Sequence, residues 1–105
     1  MIIPARGRVY MADLGEGYGD KPFLVVSNNA RNSKLDDCLA ARITTSVKPE
    51  IPSVVNLSQD DPIVGRVLCD DLVKLYRDEL KRDIGALSSQ TMARVRAGLC
   101  HALAI

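Results

Sequence analysis

GDKPFLVVSNNARN, residues Gly19 to Asn32, decides the fold. A lysine and a proline lead into four consecutive apolar residues, Phe23 to Val26, and the run stops at a pair of asparagines. Such a run between Pro22 and Asn28 fits a strand covered on both faces. Its two ends pose separate questions. Pro22 fixes where the strand begins and hence where Lys21 projects, whereas Asn28, Asn29, Arg31 and Asn32 crowd the exit. Asparagine suits turns, because it tolerates left-handed backbone and bonds to its own chain. Its amide also pairs with base edges, so Asn28 and Asn32 carry both readings at this level.

Working outward, RVYMADL at Arg8 to Leu14 is a short apolar-rich strand closed by the glycine cluster GEGYGD. CLAARITT, Cys38 to Thr45, is a third strand, rich in β-branched residues at its end. SVVNL at Ser53 to Leu57 and GRVLCD at Gly65 to Asp70 follow, the latter after the turn-forming QDDP. Shorter runs come at Val73 to Tyr76 and Arg82 to Leu87. The C-terminus alone reads as helix: Ser88 is its N-cap, and Met92, Val95, Leu99, Ala102 and Leu103 recur on one face. Short strands at regular spacing closed by one helix predict a small, mostly antiparallel barrel or rolled sheet plugged by that helix.

Bulk properties narrow the function. At 105 residues the chain is one domain, residues 1–105, since halves would be too small to bury a core. With 47% hydrophobic and 26% charged residues it is expected to fold. Fourteen basic and 13 acidic residues leave a net charge of +1, so any site for a polyanion must be a local patch. No cationic leader and no long apolar run predict a soluble, cytoplasmic protein with no membrane partner. Cys38, Cys69 and Cys100 lack zinc-ligand spacing and read as free, buried thiols. The lone His101 falls off the apolar stripe of the helix and reads as a surface residue.

The run Gly15-Glu16-Gly17-Tyr18-Gly19 is not a phosphate-cradling loop, because a strand rather than a helix follows it. It is a strand connection or a lid. Several fragments, in order, then fit one family. RGRVYMADLG, DKPFLVVSN, RITTSV, GRVLCDDL and RDIGALSSQTMARVRAGLCHALAI resemble successive motifs of the MazF/PemK toxins, ribosome-independent RNA-cleaving partners of toxin–antitoxin pairs. The resemblance spans nearly the whole chain. It implies a mostly β fold with a C-terminal α-helix, a small SH3-like (CcdB/PemK-type) antiparallel barrel. It further implies a homodimer, metal-independent cleavage of single-stranded RNA without a cofactor, and restraint by a cognate MazE-like antitoxin lying along the RNA groove.

Cleaving RNA without metal means that a 2′-hydroxyl attacks the adjacent phosphorus. The site then needs a proton acceptor, a cation for the phosphoryl oxygens and a donor for the leaving 5′-oxygen. Two histidines would serve, but this chain has one. The family's key cation is an arginine immediately before the strand's proline, where Lys21 stands here. Lysine lacks the planar fork that grips two phosphate oxygens, yet gives up a proton more readily. Lys21 is thus expected to face phosphate, its alternative being a solvated loop residue.

Thr44 matches the family's catalytic or substrate-orienting threonine, with Thr45 second to it; plain β-propensity is the other reading. Arg42 stands where many relatives carry proline. Alternation along a strand puts it on the face of Thr44, which suggests that it restores the grip lost at Lys21. Asp70 matches the family's motif aspartate and reads equally as a buried acceptor holding a turn. Asp71 replaces a glutamine and is expected to accept protons from base edges. Tyr18, and less so Phe23, are stacking platforms; Arg31 is either a phosphate contact or a solvated residue. Two rivals remain at this level. One is a CcdB-like toxin that binds DNA gyrase and cleaves nothing, and the other a member that binds RNA or antitoxin without cutting.

Overall fold

The computed structural model describes residues 2–105. Six strands and two α-helices follow one another as β1 (Arg8–Ala12), β2 (Lys21–Val25), α1 (Asn29–Lys34), β3 (Asp37–Thr44), β4 (Val54–Asn56), β5 (Arg66–Tyr76), β6 (Leu80–Ala86) and α2 (Ser89–Leu103), with a 3₁₀ turn at Arg77–Glu79. The strands form one sheet in the order β4-β5-β3-β2-β1-β6, and every neighbouring pair is antiparallel. The expected class, mostly β with a C-terminal helix, is the one observed. Hydrogen bonding does not close the sheet into a barrel, however, because β4 and β6 are its two free edges. Pro62, in the connection between β4 and β5, instead lies close against Gly85 of β6.

FLVV is buried on both faces as its composition predicts, because the sheet separates two apolar clusters. Leu24 and Val26 join Val9, Ala41, Val67 and Val95 on the side covered by α2. Phe23 and Val25 join Tyr10, Ala12, Cys38 and Leu75 on the other. Alternation in β2 and β3 follows from this division: odd residues of β2 and even residues of β3 share one face.

Ser88 caps α2 as expected, accepting from the N–H of Thr91. Met92, Val95, Leu99 and Ala102 pack onto the sheet. Leu103 does not, being 53% exposed; it shares the stripe of Met92 and Leu99 but is the last residue of α2. Gly98 lets the helix approach the sheet: a Cβ there would lie 2.8 Å from Cys69 Sγ and 2.9 Å from the Pro52 carbonyl. Cys38 and Cys69 are free and buried, and burial pushes both thiols up to about 11, whereas Cys100 is only half-buried. Among the described residues no helix is long and apolar enough to cross a membrane.

Three expectations change. The asparagine-rich exit is a helix, α1, too short to show an apolar stripe in sequence. The two runs at Gly65–Asp70 and Val73–Tyr76 are one strand, β5, whose pairing with β3 jumps from Arg42↔Leu68 to Ala41↔Leu72. Cys69, Asp70 and Asp71 form the bulge between those pairs. The turn QDDP also does more than turn, because the Asp61 carboxylate accepts from the Ser58 and Ser88 N–H groups and from the Ser58 and Thr91 hydroxyls. It ties the β4–β5 loop to the N-terminus of α2, where negative charge is favoured.

Burial alone would raise the Asp61 carboxyl, but these hydrogen bonds outweigh it and bring it from the ordinary 3.8 down to about 2. A depressed folded-state value stabilises the protein above the unfolded value, and that contribution disappears as pH falls through the folded one. Asp61→Asn is therefore expected to cost about 1–2 kcal/mol in urea denaturation at neutral pH. The gap to the parent protein should close as pH is lowered from about 4 to about 2.

Candidate active site

The site lies where the β2–β3 ladder runs out. Its last pair is Phe23↔Arg42, and two residues further along each strand, on the same face, stand Lys21 and Thr44. Lys21 also pairs with Ala12 at the end of β1, just before the glycine loop. Lys21, Arg42, Thr44, Thr45, Tyr18 and Asp71 all line one groove of about 540 Å³. Period-two alternation thus puts Arg42 and Thr44 in one groove, and the loop and the bulge bring Tyr18 and Asp71 to them.

Arg42 is the most constrained of these side chains. Its guanidinium carbon lies 5.5 Å from the centre of the Phe23 ring, which is itself buried. Nε faces Asp71 Oδ2 at 3.3 Å, and Nη2 donates to Glu16 Oε1 at 3.2 Å. Lys21 differs: among the described residues no carboxylate pairs with its ammonium. The Thr44 hydroxyl accepts from the Ser46 N–H at 3.1 Å. Since a hydroxyl has one proton and two lone pairs, that bond fixes the oxygen and leaves the proton free to donate.

Backbone packing positions the threonine. Gly65, at φ +132°, lies so close that a Cβ there would sit 2.6 Å from the Thr44 carbonyl oxygen. Phe23 is core and not a stacking platform, being 1% exposed, whereas Tyr18 is 74% exposed at the groove's mouth.

Other predicted residues lie elsewhere. Asn32 is fully buried, donating to the Ser27 carbonyl and accepting from the Ser27 hydroxyl, so it cannot reach a base. Asn28 caps α1 by accepting from the Arg31 N–H, and Asn29 accepts from the Arg6 N–H. Arg31 pairs with Asp37 instead of projecting toward a phosphate. The cluster that looked like a reading loop is the scaffold of α1 and its connection to β3. Asp70 is exposed in the β5 bulge, which rules out a buried turn-holding role, and faces a neighbouring hollow of about 350 Å³ with Lys48 and Ile51.

Sequence reasoning missed Asp13 and Glu16, which add negative charge to the groove, and Ile63 and Val64 of the β4–β5 loop, which add an apolar wall. Of these only Glu16 carried a signal, a carboxylate flanked by Gly15 and Gly17 in the loop that leads to the family's cation position.

Comparison with known proteins identifies the family and the fold. Residues 5–103 match the model of the PemK-like, MazF-like toxin of type II toxin–antitoxin systems. The chain is 42% identical over 105 residues to Endoribonuclease MazF4 of Mycobacterium tuberculosis, covering all of this chain and 97% of that protein. A mycobacterial endoribonuclease solved in complex with its cognate antitoxin is 42% identical, with a TM-score of 0.91 over 97% of this chain and 96% of that one. The MazE–MazF structure from Deinococcus radiodurans, at 24% identity and a TM-score of 0.84 over 100% of this chain and 99% of that one, shares the fold. The chain belongs to the PemK-like, MazF-like toxin family of type II toxin–antitoxin systems.

Proposed function

We propose that the protein is an endoribonuclease toxin that cuts single-stranded RNA at selected sequences without a metal ion and is neutralised by a cognate antitoxin. One observation carries the reading: Lys21, Arg42 and Thr44 share one groove, two cations and a fixed hydroxyl of the kind that phosphoryl transfer requires. The 2′-hydroxyl attacks the adjacent phosphorus and gives its proton to solvent water, the bond from phosphorus to the 5′-oxygen breaks, and a 2′,3′-cyclic phosphate and a 5′-hydroxyl are left. Thr44 donates to a phosphoryl oxygen, Lys21 faces the developing charge and protonates the leaving 5′-oxygen, and Arg42 supplies the second cation. Tyr18 stacks on a flanking base, and Asp71 accepts from a base edge.

Named endoribonucleases among the relatives favour this reading over a gyrase-binding, CcdB-like one, and a solved relative seated on its antitoxin supports the same mode of restraint. A homodimer and a cytoplasmic location follow by family analogy. The test is to incubate purified protein with a long RNA in EDTA and map new ends by primer extension. Discrete cuts whose 5′ ends accept phosphate from a kinase directly are expected; intact RNA would refute the reading.

A further inference from the structure

The groove proposed to bind RNA carries three carboxylates, Asp13, Glu16 and Asp71, against two cations, Lys21 and Arg42. A polyanion entering a groove with that balance meets net negative charge, which is relieved if a carboxylate can leave. Asp71 is fixed in the β5 bulge and holds Arg42 Nε. Glu16 is different, because its backbone belongs to the connection between β1 and β2. Gly15, Gly17 and Gly19 all have positive φ, and a Cβ on any of them would meet nothing within 4 Å. The loop therefore packs against little and is held by side chains: Asp13 accepts from the Gly15 N–H, Asp20 pairs with Lys81 at 3.3 Å, and Glu16 reaches Arg42.

We propose that Glu16 is a resident stand-in for a substrate phosphate, latching the glycine loop across the groove onto Arg42, and that RNA binds by displacing it. The inference rests on the groove being the RNA site. A carboxylate and a phosphate offer the same donor fork of arginine a pair of anionic oxygens, so the two compete for Arg42. The exposed Glu16 pair is weak enough to be exchanged, and Asp71 keeps the guanidinium oriented while it is. Released, the loop is free to carry Tyr18 over a bound base. Arg42 is thus occupied in the resting protein and engaged by substrate only after the latch opens, whereas Lys21 is available throughout.

The experiment compares the parent protein, Glu16→Gln, Arg42→Ala and the double variant by two readouts. Backbone ¹⁵N order parameters at Gly15, Gly17 and Gly19 should fall below about 0.6 in each single variant and no further in the double. Unchanged order in both single variants overturns the latch. The second readout is affinity for a fluorescent, mixed-sequence single strand of 2′-deoxynucleotides, which offers phosphates and cannot be cut. Glu16→Gln should tighten binding about fivefold with Arg42 present and leave it unchanged in the Arg42→Ala background. An equal gain in both backgrounds would mean mere loss of a negative charge, and it would sink the proposal. A strand that binds none of the four proteins overturns the RNA reading and the displacement with it, while the glycine order parameters still decide whether the latch exists.

Discussion

Lys21→Ala is expected to lower RNA cleavage by about 10²-fold or more, the cost of removing a cation aimed at transition-state charge. Lys21 opens β2 at the groove's edge, where Pro22 fixes the start of the strand and no carboxylate among the described residues neutralises the ammonium. Arg42 cannot replace it, because its guanidinium is held in its own place by Asp71 and the Phe23 ring. Lys21→Arg keeps the charge and adds a planar fork, so cleavage within about tenfold of the parent is expected. Rates from single-turnover assays on a defined RNA decide the matter. An alanine variant within a few-fold of the parent would remove Lys21 from the mechanism.

Gly65→Ala should have the second largest effect although residue 65 lies outside the proposed chemistry. The new methyl group would meet the Thr44 carbonyl at 2.6 Å and impose a side chain on a backbone at φ +132°. Backbone strain and forced displacement together cost about 2–3 kcal/mol. Because the atom in the way is main chain, relief comes by moving Thr44 rather than by rotating a side chain. The expected result is a lower urea midpoint and a loss of cleavage of about tenfold or more in protein that remains folded, since a shift of about 1 Å misplaces a reacting group. Unchanged stability and activity together would show that β3 and the turn before β5 have slack here.

Much of this was legible in the chain because periodicity records which face is covered. FLVV announced a strand buried on both sides, and the sheet does separate two apolar clusters around it. The step from Arg42 to Thr44 placed both in one groove with Lys21. Asn32 was illegible for a physical reason: a buried amide that satisfies its own loop has the same composition as one waiting for a base, and only packing distinguishes them. Helix α1 hid because six residues are too few to show a stripe. That β4 and β6 stay unpaired with each other, Pro62 lying against Gly85, is a matter of long-range packing that no local pattern states. Asp61 looked like a turn residue because its partners, Ser58, Ser88 and Thr91, are scattered along the sequence. The Glu16–Arg42 pair spans 26 residues and was equally invisible.

The bulge in β5 has a consequence for how such a protein can diversify. Leu68 and Leu72 keep their places opposite Arg42 and Ala41, so the sheet is fastened on either side of Asp70 and Asp71. These two residues belong to the wall of the groove and the hollow beside it without setting the register of any strand. Changes there can alter the chemistry offered to a ligand while the framework that holds Lys21 and Thr44 stays still. Two adjacent positions thus form an exchangeable cassette, and grafting their counterparts from a relative is expected to change the proposed RNA selectivity without rebuilding the fold.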